Sequence, residues 1–140
     1  MTPKEAYEHA IRYGSSNKAR EIACKDPLFT YQYARLIDKC PRNDTRIAAC
    51  KHSSAAYLYA KDIDKCPRDD TREAACKNAE NAYYYAKHVD KEPRNDTREA
   101  ASKNLEYAYL YAQNVDKGPH EKPKTLFAKN QNMRINMRWK

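Results

Sequence analysis

Residues 64–89, DKCPRDDTREAACKNAENAYYYAKHV, stand between two near-copies of themselves at a fixed step of 26 residues. Asp38 opens the copy before, DKCPRNDTRIAACKHSSAAYLYAKDI, and Asp90 the copy after, DKEPRNDTREAASKNLEYAYLYAQNV. A degenerate first copy covers about 12–37, and Asp116-Lys117-Gly118-Pro119 starts a further copy and abandons it. Such a short period constrains the chain severely. Every copy must make the same small unit, and a unit that buries little surface alone must pack on its neighbours.

Each copy carries two helical signals. The first begins at Asp70-Thr71-Arg72-Glu73, an Asp N-cap with Glu three positions on, repeated by Asp96 and Glu99; Asp44 keeps the cap and loses the box. A short helix A follows, through Ala74, Ala75 and Cys76. Asp26, Asn78 and Asn104 then stand where a second cap is needed, with Pro27 at a first helical position, where a missing amide costs least. Helix B is expected over 27–39, 79–91 and 105–117, ending before Cys40-Pro41, Cys66-Pro67, Glu92-Pro93 or Gly118-Pro119, because a residue preceding proline leaves the helical region.

At about 100° per residue, Ala82, Tyr85, Ala86 and Val89 share one face of helix B. The same stripe recurs at Ala56, Tyr59, Ala60 and Ile63, and at Ala108, Tyr111, Ala112 and Val115. Helix A offers Thr71, Ala74 and Ala75 toward it. The expected fold is all-α: a right-handed α-solenoid of about four hairpins of 26 residues, preceded by a helix over 3–12 that Thr2 and Glu5 cap. The repeat domain would occupy 1–118 and an extended basic tail 119–140. With helices packing about 10 Å apart, the stack is a rod or shallow arc on the order of 40 Å long.

Mean hydropathy is −1.11, low for a folded chain, yet the sharp period argues against disorder. No apolar run suits a membrane span, and the first residues, MTPKEAYEHAIRYG, lack a signal-peptide core. A cytoplasmic protein with reduced thiols is expected. The formal charge of +8 is uneven: 118–140 hold six Lys or Arg against Glu121 alone, which is +5, leaving +3 for the repeats.

The five cysteines follow the period, Cys24, Cys50 and Cys76 on helix A and Cys40 and Cys66 before the turn proline. The last copy replaces both kinds, with Glu92 and Ser102. Small half-buried thiols are the expectation. Disulfides within the pairs Cys40/Cys50 and Cys66/Cys76 would leave Cys24 odd, and a metal site would need four converging ligands. The histidines (His9, His52, His88, His120) keep no common repeat position, so no thiol has a recurring base, and neither cofactor nor metal is implied.

Tyrosine is in excess, with 12 residues. Tyr31, Tyr57, Tyr83 and Tyr109 lie two positions before the stripe tyrosines, roughly 160° around the helix. Four residues on come Arg35, Lys61, Lys87 and Gln113, then Asp38, Asp64, Asp90 and Asp116. One reading is a groove in which Tyr31, Tyr57, Tyr83 and Tyr109 stack on a partner while Arg35, Lys61 and Lys87 meet phosphate or carboxylate. The other is that these rings seal adjacent helices B, each Lys pairing with the Asp three residues later. Arg42, Arg68 and Arg94 with Arg46, Arg72 and Arg98 line the turn edge as a second cationic set, beside Asp44, Asp70 and Asp96.

In the tail, residues 133–140 alternate Met, Ile, Met, Trp with Arg134, Asn136, Arg138 and Lys140. That period suits a strand added to a partner's sheet. It equally suits a nucleic-acid contact through Lys129, Arg134, Arg138 and Lys140 with Trp139 on a base, or a solubilising end while Leu126 and Phe127 cover the last hairpin.

The segments NAENAYYYAKHVDKEP and NLEYAYLYAQNVDKGP resemble the short AYLYAKDV-type helical repeats found in tandem in phage and giant-virus proteins. The likeness covers 19–119 and departs at the turn, where CPRNDT and CPRDDT replace a Gly-Arg-rich turn. It implies a viral protein inside a host cell with an interaction role, for instance inhibition of a host defence complex, and brings no catalytic residues. The sequence therefore predicts a non-enzymatic binding protein for a host or viral protein complex, monomeric or an end-to-end homodimer, with no membrane contact. The rival reading is a sequence-nonspecific nucleic-acid binder acting through the tail and the Tyr/Lys ladder.

Overall fold

A computed structural model describes residues 1–117, and every regular element among them is helical. Expectations for the tail, including strand addition and contacts by Arg134, Arg138, Trp139 and Lys140, lie outside the described residues. The chain divides into two compact units, Met1–Ala75 and Cys76–Lys140.

The first unit opens with helix α1, Pro3–Tyr13. Its N-terminus carries the expected capping box: the Thr2 hydroxyl accepts from the Glu5 amide at 3.1 Å and the Glu5 carboxylate from the Thr2 amide at 2.8 Å. The bond from the Thr2 amide favours the charged carboxylate and lowers its pKa. The helix stops at Gly14, whose φ of 96° suits only a residue without a Cβ.

The helices A of the hairpins are α2, Asn17–Ala23, α4, Asn43–Ala49, α6, Asp69–Ala75, and α8, Asn95–Ala101. Three begin two residues earlier than the Asp caps predict. Arg42 and Arg94 are the N-caps, in extended backbone and without a side-chain cap bond. Asp44, Asp70 and Asp96 sit inside the first turn, where each accepts the next residue's amide at 2.7, 2.7 and 2.8 Å. A carboxylate there meets an unpaired N–H and the positive helix end without being the cap, which is why the pattern misled by two residues. The expected Glu73 and Glu99 boxes are consequently not formed by these caps.

The helices B are α3, Pro27–Tyr33, α5, Ser53–Tyr59, α7, Ala79–Tyr85, and α9, Leu105–Asn114. Asp26, Asn78 and Asn104 cap three of them as expected, and His52 caps α5 through Nδ1, which accepts from Ser54 at 3.2 Å. α3, α5 and α7 each widen into a π-helical tail, Ala34–Asp38, Ala60–Asp64 and Ala86–Asp90. The tails close by amides of Lys39, Lys65 and Lys91 donating to Ala34, Ala60 and Ala86, each at 2.8 Å. Those lysines then turn left-handed, with φ of 58°, 57° and 60°.

In the first unit α1 packs on α2 and α3, and α3 meets α4 and α5. One core cluster gathers Ala6, Ala10, Ala19, Ala23 and Tyr33; the next gathers Tyr31, Ala34, Ala49, Ala55, Tyr59 and Ile63. In the second unit α7, α8 and α9 pack pairwise around Tyr83, Ala86, Ala101, Tyr111 and Val115. The stripe tyrosines Tyr33, Tyr59, Tyr85 and Tyr111 are fully buried, as are Thr45, Thr71 and Thr97 of helix A. Alanine dominates the facing positions, so the helices approach closely around a few large rings.

Candidate binding groove

Three hairpins are locked by a polar unit of a kind that the sequence pattern assigned to the surface. Arg46 of α4 reaches Asp64 at the end of the α5 tail, Nη2 to Oδ1 at 2.6 Å and Nε to Oδ2 at 3.0 Å, with side chains 9% and 2% exposed. Nη1 donates to Asn43 at 2.8 Å, and the guanidinium lies 5.7 Å from the Tyr59 ring centroid. Arg20 with Asp38 and Arg98 with Asp116 repeat the arrangement, the last more exposed. Asp64 holds Arg46 above the ordinary guanidinium pKa, and Asp38 and Asp116 do the same for Arg20 and Arg98. Arg20, Arg46 and Arg98 are thus structural and not a turn-edge clamp, and their aspartates answer helix A instead of a lysine of their own helix. Only Arg42, Arg68 and Arg94 remain at the edge, each matched by Asp44, Asp70 or Asp96 at 3.0 Å.

The stripe tyrosine completes the lock. The Tyr59 hydroxyl accepts from the Arg42 amide at 3.0 Å, donates to the Arg42 carbonyl at 3.1 Å and lies 2.7 Å from the Thr45 hydroxyl. Tyr111 repeats these contacts with Arg94 and Thr97. Burial raises both phenols.

The second tyrosine row is not an open ladder. Tyr31, Tyr57 and Tyr83 are buried, and only Tyr109 is exposed, at 42%. Tyr31 donates to Asp62 of the following hairpin, and Tyr83 accepts from Asn114, which stands at the equivalent position, at 2.8 Å. Burial and then the Asp62 bond push the Tyr31 phenol up to about 12. Tyr31 and Tyr83 seal neighbouring hairpins because a helix B packed on a further hairpin has a second buried face. The charged ends of Arg35, Lys61 and Lys87 lie over the Tyr31, Tyr57 and Tyr83 rings at 5.6, 5.9 and 5.8 Å, on residues that are exposed.

In the first unit those charges meet the left-handed lysines. An open hollow of about 540 Å³ between the tails of α3 and α5 is lined by Arg35, Lys39, Lys61 and Lys65, with Ala34, Ile63 and Asp62. All four cations are exposed. The carboxylate of Asp62 is engaged by Tyr31 and by Lys61 at 3.3 Å. Four cations against one committed carboxylate make the hollow strongly basic. The sequence pointed to Arg35 and Lys61 but missed Lys39 and Lys65, which read as ordinary helix ends; their recurrence just before Cys-Pro was the available signal.

All five thiols are free. Cys24, Cys50 and Cys76 point their sulfurs at the carbonyls of Asp44, Asp70 and Asp96 in the next helix A, at 4.0, 3.7 and 3.9 Å. Ser102 bonds instead within its own helix, to Glu99 at 2.8 Å, so the change from Cys coincides with the last described helix A. Burial pushes Cys50 up to about 11. Among the described residues no three His, Cys, Asp or Glu side chains converge to hold a metal, and no helix is long and apolar enough to cross a membrane. No protein-family description, curated protein or solved structure matches this chain.

Proposed function

We propose that the chain is a non-enzymatic helical-repeat binding protein, a right-handed α-solenoid whose hairpins present one face to a protein partner. The observation that carries this reading is the basic hollow on the α3 and α5 tails: Arg35, Lys39, Lys61 and Lys65 project from elements that buried Arg–Asp locks hold in place. Rigid elements fix the backbone from which these cations project, so binding need order side chains but not backbone. The nucleic-acid alternative asked Tyr31, Tyr57, Tyr83 and Tyr109 to stack on bases beside the basic tail, and burial of the first three leaves Tyr109 as the one exposed ring of that row.

The test is purification of the tagged full chain from the cells that express it, before and after nuclease digestion, followed by reassembly of the purified pair. A stoichiometric complex that survives nuclease and reassembles on size-exclusion supports the reading. A complex that nuclease dissolves, together with oligonucleotide binding that falls steeply with salt, overturns it in favour of nucleic acid.

A further inference from the structure

We infer that the hollow between the α3 and α5 tails is a docking site for an extended acidic peptide carrying a carboxylate at about every third residue. This rests on the protein-partner reading and names the partner's chemistry. The first support is the spacing of charge. Arg35 and Lys61 are equivalent residues of adjacent helices B, and so are Lys39 and Lys65, and the hollow lies between them. Packed helices stand about 8–10 Å apart, and an extended chain in the polyproline II form advances about 3.1 Å per residue with three residues per turn. Side chains three apart on such a peptide share one face and recur at the step of the cation pairs.

The second support is backbone conformation. Lys39 and Lys65 hold φ of 58° and 57°, a region where glycine or asparagine costs less. A cation that merely answers the negative end of a helix needs only to lie in its last turn; it does not need the left-handed position itself. A residue kept in a costly conformation at the rim of an open basic hollow points to use of its side chain. Lys91 and Lys117 have the same sign of φ, so the second unit carries the same element.

The chemistry favours carboxylates on a peptide over a nucleic-acid strand. The rings beneath this surface, Tyr31 and Tyr57, are buried under Arg35 and Lys61, and Tyr31 is further closed by Asp62. Three of the four cations are lysines, compact charges on flexible stems that suit separate carboxylates without demanding paired geometry.

The experiment uses the full chain and three fluorescent probes read by anisotropy. They are a glycine–serine peptide with Glu at every third position, an isomer with the same Glu residues consecutive, and a mixed-sequence single-stranded oligonucleotide. The spaced peptide should bind at least about five-fold tighter than the block isomer. Lys39→Gln with Lys65→Gln should weaken it by about ten-fold or more, whereas Lys51→Gln with Lys77→Gln, on exposed helix A ends, should change it less than about two-fold. Unchanged helical circular dichroism guards against a folding artefact.

Equal binding of the two peptides, or indifference to the Lys39/Lys65 pair, overturns the site. An oligonucleotide that binds tighter than either peptide and is lost in the same variant makes the hollow a phosphate site and overturns the peptide assignment. Neither result touches the nuclease-resistant complex, whose absence alone would end the broader reading.

Discussion

Replacing Asp64 with alanine should destabilise the protein by about 3–5 kcal/mol, the usual cost of leaving one buried charge of a pair uncompensated. Asp64 takes two short bonds from Arg46, and both side chains are at least nine-tenths covered. After the substitution Arg46 keeps only Asn43 and the Tyr59 ring. A neutral acceptor and a cation–π contact offset roughly 1–2 kcal/mol of the desolvation. Arg42→Ala breaks a pair of similar geometry at 40% and 49% exposure and should cost far less than Asp64→Ala, because solvent screens an exposed pair. Arg46→Met with Asp64→Leu removes both charges, so its cost should fall well below that of Asp64→Ala. Urea unfolding followed by circular dichroism reads all three, comparing midpoints at constant slope. If Asp64→Ala and Arg42→Ala differ by less than about 1 kcal/mol, the lock is not what holds helix A to its tail.

Three further outcomes follow from the same geometry. Lys65→Gly should raise stability by about 0.5–1 kcal/mol, because the left-handed backbone suits glycine, while weakening the acidic-peptide contact; urea midpoints and anisotropy on one sample test both. An aromatic disulfide reagent should label exposed Cys40 and Cys66 quickly and half-buried Cys24, Cys50 and Cys76 slowly, with Cys50 further slowed by its raised pKa; equal rates would contradict the burial. Tyr31 is held neutral up to about pH 12 when folded against about 10 for an ordinary phenol. A raised folded pKa contributes stability fully present below about pH 10 and lost as pH rises through about 12, so late tyrosinate absorbance should rise together with helix loss. Titration of all 12 tyrosines near pH 10 with helix intact would refute it.

The alternation of helices was legible because three helices B begin at an Asp or Asn cap, because a proline follows each of them, and because Tyr85, Ala86 and Val89 fall on one stripe that is buried. What escaped was everything decided between hairpins. Tyr31 looked outward from its own helix, and only the next hairpin, through Asp62, makes that side an interior. Arg46 looked like a turn-edge cation because its partner lies 18 residues on, at the far end of helix B. The π-helical tails depend on a bond from Lys65 to Ala60 that no local pattern distinguishes from an ordinary α-helical end. The hollow follows from those tails, so the sequence supplied Arg35 and Lys61 without the lysines that complete it.

Hydrogen exchange of the full chain, alone and in its nuclease-resistant complex, tests the binding account most directly. Added protection should concentrate at the tails, residues 34–39 and 60–65, where Arg35, Lys39, Lys61 and Lys65 line one hollow. Protection confined to helix A or to residues 118–140, with the tails unchanged, would contradict it.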